Sequence, residues 1–239
     1  MLNLAESSSK SSIEYFEDNF VRDGFASQRM YPNEALVQFM MGRFGRMEMG
    51  KRRAIRVLEV GCGSGANLWM LAKEGFEVHG LDASATGLSL AQAHLAKKWG
   101  VDAELTCGDF THLPYSDDYF DAVIDVVSLQ HLCLKGTALA LSEIARVMKE
   151  NGAFFSYRLS DRSVMYSRTA SPMIDAATVE NITPPLPLAD NGPTSFLGPS
   201  LATMLYSDAG LSVDSIQSFA RTYKSGDFVE YLAIEASLS

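Results

Sequence analysis

The sequence predicts an α/β fold in which a mostly parallel sheet carries helices on both faces. Three observations predict it. From Ile55 onward, short apolar runs alternate with amphipathic stretches, the pattern of repeated βαβ units. The first run ends in the glycine-rich turn Gly61-Cys62-Gly63-Ser64-Gly65. The last two runs, near Ser212–Arg221 and Phe228–Ala236, are joined only by Lys224-Ser225-Gly226-Asp227, which makes them an antiparallel hairpin.

Along the chain, residues 1 to about 12 are Ser-rich and expected to fray. Ile13–Phe20 reads as a helix. Pro32–Met49 reads as a second, with Pro32 near its first turn and Leu36, Phe39, Met40, Phe44 and Met47 as a core-facing stripe. These two make an N-terminal helical cap over 1–54, and residues 55–239 form the main domain. Strands follow at Ile55–Val60, Glu77–Leu81, Ala103–Thr106, Phe120–Val127 and Ala153–Arg158. Phe120–Val127 is nearly all apolar, as a strand buried on both faces must be. Helices are expected over Leu68–Lys73, Ser84–Trp99 (capped by Ser84) and Thr137–Met148. The regularity stops at 159–199, which holds six of the eight prolines, and resumes with a helix at Ser200–Asp208. A loop-rich segment that long inside a compact domain is usually functional, and it is placed here on the substrate side.

The glycine turn carries the chemistry. Without Cβ atoms its backbone can press on a ligand, and the helix that follows presents free N–H groups to the same spot. Two cofactors fit the turn taken alone. Gly61, Gly63 and Ala66 satisfy the dinucleotide pattern, with Asp82 21 residues on from Gly61 as a ribose-binding acid. Against a dinucleotide, Glu59 would set a carboxylate beside a pyrophosphate. A nicotinamide-binding sheet would also end on a sixth parallel strand, where this chain predicts a hairpin.

With Gly65, the stretch reads Glu59-x-Gly61-x-Gly63-x-Gly65, and in this it resembles the first motif of the class I S-adenosylmethionine-dependent methyltransferases. Leu113-Pro114 through Phe120-Asp121 is similar to that family's entry into strand four. Glu143 to Gly152 is similar to its E-x-x-R-V-L-K-P-G-G stretch, with Glu150-Asn151 in place of Pro-Gly. The likeness covers about residues 55–158. It implies a Rossmann-like, seven-stranded, mostly parallel sheet whose last strand is antiparallel, and S-adenosylmethionine as cofactor. It further implies that Gly61, Cys62 and Gly63 cradle the cofactor with Glu59, that Asp82 beside small Ala83 holds the ribose, and that Asp109 and Phe110 hold the adenine. Asp125 and the segment after strand four, Val126 to Leu132, would border the methionine portion. Tyr15 and Arg29 would close over the cofactor from the N-terminal side, Arg29 either pairing with its carboxylate or lying on the surface. His131 is either a general base or the residue that orders the loop after strand four. Tyr31, Tyr157 and Arg158 would face the acceptor. The implied activity is methyl transfer to O or N of a small molecule, and Tyr31-Pro32-Asn33-Glu34 resembles the opening of methyltransferases of sugar biosynthesis, with secondary metabolism a further setting. A nicotinamide-dependent oxidoreductase and a non-catalytic binder of the same cofactor are the alternatives.

Composition narrows the rest. With 29 acidic against 20 basic residues, the formal charge is −9, which argues against a nucleic-acid partner. Arg43, Arg46, Lys51, Arg52, Arg53 and Arg56 are a local exception, read as a solvated helix end or else a docking patch. Three cysteines without a CxxC pair, and no apolar run near the roughly 18 residues of a span, point to a cytoplasmic protein without a membrane partner. Four histidines and no His/Cys cluster argue against a metal site, and a homodimer is left open.

Overall fold

The computed structural model describes residues 4–238, with side chains from Ser12 onward. Helix α1 (Leu4–Asp23) leads through a 3-10 turn, Gly24–Ser27, to α2 (Glu34–Phe44) and the single turn α3 (Met49–Arg52). Then β1 (Arg56–Val60), α4 (Leu68–Lys73), β2 (Glu77–Asp82), α5 (Ala85–Ala93) and β3 (Glu104–Cys107) alternate. After them come β4 (Phe120–Val126), α6 (Leu134–Val147) and β5 (Met148–Leu159). The segment beyond holds α7 (Val164–Arg168) and a ribbon of β6 (Thr178–Val179) with β7 (Thr194–Ser195). Helix α8 (Pro199–Asp208), β8 (Leu211–Thr222) and β9 (Phe228–Leu238) close the chain.

One seven-stranded sheet results, in the order β3-β2-β1-β4-β5-β9-β8. Strands β3, β2, β1, β4 and β5 are mutually parallel, and β9 runs antiparallel to both β5 and β8. This is the expected hairpin, with its last strand inserted beside β5. The topology on which the nicotinamide alternative depended is absent. Chain order reverses between β1 and β4, and the strand ends there open a crevice where ligands bind in such sheets.

Each sheet face buries its own core. Leu58, Val60, Leu81 and Val123 pack under α6 and α8, while Val57, Ile124 and Phe155 pack under α2 and α4. The Phe39 ring of α2 stacks on Phe155 at 5.1 Å. Burying one such aromatic contributes about 1.5–3 kcal/mol. The boundary expected at residue 54 therefore divides no core, because α2 shares one with β1 and β5.

Several expectations need correction. Helix α1 begins at Leu4, so the fraying expected over 1–12 gives way to helix beyond residues 1–3, which lie outside the described residues. Serine costs only a few tenths of a kcal/mol per position, and the packed second half carries the helix backwards. Helix α2 starts after Pro32: Asn33 is its cap, its side chain accepting from Leu36 N. The Ser84 cap forms as expected, accepting from Gly87 N at 2.8 Å, but the helix it opens becomes π-helical over His94–Trp99. Segment 159–199 is more ordered than its prolines imply, since Val179, Ile182 and Phe196 form a third core with Leu159 and Val229. Arg52, placed in the basic cluster, is buried and donates to the carbonyls of Gly45, Met47 and Glu74, so it ties a loop together.

Candidate active site

The glycine turn leaves β1 and folds onto the end of β2. Gly61 N and Cys62 N both donate to Leu81 O, and Gly63 N donates to Asp82 Oδ2 at 2.7 Å. Gly61 and Gly63 have φ of 69° and 51°, a region costly for residues with a Cβ. Space forbids one as well: at Gly61 it would collide with the Ser128 side chain, whose hydroxyl donates to Gly61 O at 3.0 Å, and at Gly63 with the Gln28 amide. From behind, Trp99 Nε1 donates to His94 Nε2 at 2.8 Å. That fixes the His94 proton on Nδ1, which donates to Ser64 O at 3.2 Å.

A cavity of about 490 Å³ opens at this turn. Of the expected residues, Glu59, Gly61, Cys62, Asp82, Ala83, Asp109 and Phe110 line it on the sheet side. Tyr15, Arg29 and His131 line it from the cover and from the loop after β4. Gly63 stands just behind, its N–H held by Asp82. The second Asp82 oxygen, Oδ1, accepts from Ser84 N at 2.8 Å, so backbone aims the carboxylate into the cavity with lone pairs to spare. Asp109 is oriented the same way, accepting from Thr111 N.

The charges here are unusual. Glu59 is 2% exposed; one oxygen accepts from Asn67 Nδ2 and the other has no partner. Burial pushes its carboxyl up to about 8, against the pull of Asn67 and Arg29. Burial also raises the Asp82 carboxyl and drives the Cys62 thiol well up, so Cys62 is a packing residue and not a nucleophile. The Arg29 side chain is water-accessible through the cavity yet enclosed enough that desolvation lowers its pKa. Burial pushes the His131 imidazole down to about 4, and the Arg158 charge acts in the same direction.

Helix α1 covers the cavity. Its Phe16 ring meets the His131 ring edge-on at 5.0 Å, and Phe20 packs in the space left by Gly87. Glu17 fastens the helix, accepting from Ser84 Oγ at 2.5 Å and from Thr86 Oγ1. Gln28, on the segment after the 3-10 turn, reaches Ser64 N.

Four expected residues are not brought to the cavity. Asp125 is fully buried on the other face of the sheet. It accepts from Ser128 N, Leu129 N and Ser156 Oγ at 2.7–3.0 Å, and so shapes the loop after β4. Arg158 is likewise inaccessible, donating to Ser195 Oγ. Tyr157 stacks on Tyr231 at 4.9 Å and packs edge-on to Phe219. Adjacent strand residues point to opposite faces, so Tyr157 and Arg158 could never both face one acceptor. Tyr31 is 60% exposed and lies against Trp69 and Trp99 outside the cavity. Conversely, Phe16, Glu17, Gln28, Asn67, His94 and Ser128 build the site without having been singled out; only Ser128, in the segment after strand four, lay in a stretch marked in advance.

A family model described as a methyltransferase domain matches residues 57–152. Those residues form a methyltransferase domain. The whole chain has the class I methyltransferase fold. The domain is 32% identical over 105 residues to 24-methylenesterol C-methyltransferase 2 of Oryza sativa subsp. japonica, covering 43% of this chain and 28% of that protein. The chain spans well under half the length of the curated relatives it matches. Among solved structures, the fold is similar to that of Burkholderia thailandensis 1,6-didemethyltoxoflavin-N1-methyltransferase with bound S-adenosylhomocysteine. There the TM-score is 0.70 at 16% identity, over all of this chain and 92% of that one. It is also similar to the [4+2]-cyclase SpnF, with a TM-score of 0.66 at 15% identity over 96% and 95% of the two chains. Among the described residues no helix is long and apolar enough to cross a membrane.

Proposed function

We propose that this protein is an S-adenosylmethionine-dependent methyltransferase that methylates O or N of a small-molecule acceptor. The observation that carries the reading is the cavity itself, where a bare glycine turn, a backbone-aimed Asp82 and the Asp109-Phe110 pair converge beneath α1. In this reading the turn takes the aminoacyl portion and Asp82 the ribose hydroxyls. Asp109 accepts from the adenine amino group, Phe110 packs on its ring, and Arg29 pairs with the carboxylate. Glu59, set near the turn, meets the ammonium. The orphaned Glu59 oxygen fits such a group, because a buried acceptor without a donor is costly.

When bound, the cofactor supplies a methyl group on a sulfonium, already a good leaving group. The protein's work is then alignment and dryness. Phe16, Phe20 and Leu132 exclude water, and Asn191 offers an amide to an acceptor. His131 is neutral at pH 7 and a weak base, so it orders the loop and accepts a proton only from an acidic acceptor.

Two measurements test the reading. S-adenosylhomocysteine should raise the melting temperature where NAD does not. Labelled methyl should pass from S-adenosylmethionine into a small-molecule extract. Since a protein named as a cyclase shares the fold, architecture alone does not decide the reaction. Cofactor binding without label transfer would leave a non-catalytic binder.

A further inference from the structure

The two ends of the cavity differ in charge. Asp82 and Asp109 stand at the end assigned to the nucleoside, and Arg29 and Arg221 toward the other. The arginine ion pairs among the described residues use Arg22, Arg52, Arg56, Arg146, Arg162 and Arg168, and neither of these two. In a chain of formal charge −9, two cavity-lining cations outside the ion pairs of the described residues need explaining. The methionine carboxylate accounts for Arg29. Arg221 is left over.

Its setting is a built one. Arg221 registers with Val229 and Phe219 with Tyr231, so all four side chains emerge on one sheet face; Tyr157, two residues from the Tyr231 partner Leu159, joins them. The cavity-lining Tyr231 ring, on which Tyr157 stacks from outside the lining, makes an aromatic ledge. At its edge the Arg221 guanidinium lies 4.5 Å over the Tyr223 ring and donates to the Tyr223 hydroxyl. That contact, with a further hydrogen bond to the Tyr231 hydroxyl, orients the guanidinium, whose five N–H donors outnumber these two acceptors. Across the cavity, Ile13 and Phe16 from α1 and Leu188 from the Pro-rich segment give apolar walls.

We propose that the methyl acceptor is an anionic small molecule with an apolar body, its carboxylate or phosphate group paired with Arg221 at the rim of the cavity. The proposal rests on the methyl-transfer reading above. A guanidinium holds either anion by paired hydrogen bonds, and the ledge beside it receives a flat or aliphatic body. Arg221 selects the acceptor and takes no part in the transfer, so a neutral analogue of the same shape loses the charge-assisted bonds and keeps only the apolar contact.

The test titrates S-adenosylhomocysteine-loaded protein with 3-phenylpropanoate, phenyl phosphate and, as the neutral match, 3-phenylpropanamide. At least one anion should bind tenfold or more tightly than the amide, and the tighter of the two names the group. The preference should vanish in Arg221→Gln, with S-adenosylhomocysteine affinity kept within about twofold as the check on folding, and persist in Lys224→Gln in the hairpin turn outside the cavity. If the anions bind no better than the amide, bind not at all, or stay preferred in Arg221→Gln, the proposal falls while the cofactor site stands. Failure of S-adenosylhomocysteine to bind wild-type protein removes both.

Discussion

Replacing Glu59 by Gln tests the electrostatics of the cavity floor. The substitution keeps shape and the Asn67 contact but removes the ionisation. In the unfolded chain this carboxyl ionises near 4.5, whereas in the folded protein burial holds its proton to about 8. Between those values the native state binds a proton that the unfolded chain has released, so wild-type stability falls as pH rises. Over the full window the loss is at most about 5 kcal/mol at 1.36 kcal/mol per unit, and between pH 5 and pH 8 it is roughly 3–4 kcal/mol. The ligand-free Glu59→Gln protein escapes that loss. Its melting temperature relative to wild type should therefore grow by roughly 6–16 °C from pH 5 to pH 8, at about 2–4 °C per kcal/mol for a chain of this size. Scanning calorimetry of both proteins at the two pH values reads it directly. An unchanged difference would mean that Glu59 ionises normally, and the account of a dry, proton-holding floor would be wrong.

His131 has the opposite slope: its folded pKa of about 4 lies below the ordinary 6.5, so it contributes stability above pH 6.5 that is lost as pH falls toward 4. His131→Gln should flatten acid denaturation by up to about 3 kcal/mol, and wild-type kcat/KM should show no inflection near pH 6.5; such an inflection would return His131 to the role of a conventional base. Asp125→Ala strands two backbone N–H groups and the Ser156 hydroxyl in the interior, and urea denaturation should show a loss of about 3 kcal/mol or more. A loss under 1 kcal/mol would contradict its structural role. Glu17→Ala should free α1 from the start of α5, seen as faster proteolysis before residue 24 and weaker S-adenosylhomocysteine binding. Equal cleavage rates would show that Glu17 does not hold the cover.

What could be read in advance is local. The glycine turn, the capped α5 and the Ser225-Gly226 hairpin each announce themselves within a few residues, and the sheet follows from their order. Glu143 and Arg146 looked like a family signature, and their role emerges in space: Glu143 accepts from Leu113 N, while Arg146 donates to the carbonyls of Leu113 and Tyr115, pinning the entry to β4. Long-range partners leave no such trace. Glu17 meets Ser84, and Gln28 meets Ser64, across stretches that no periodicity links. Arg221 sat unnoticed at a strand end, because only the cavity it lines gives it a meaning. Arg158 shows the reverse error, where position at a strand end suggested the site and alternation along the strand had already turned it away.

The account stands on S-adenosylhomocysteine occupying the glycine-turn cavity with its ribose on Asp82. Isothermal titration of wild type and Asp82→Ala measures this most directly. The account predicts one site per chain in wild type and an affinity weaker by about 1–3 kcal/mol in the variant, the scale of hydrogen bonds to a charged group. Absence of heat in wild type, or equal affinity in the two proteins, would contradict it.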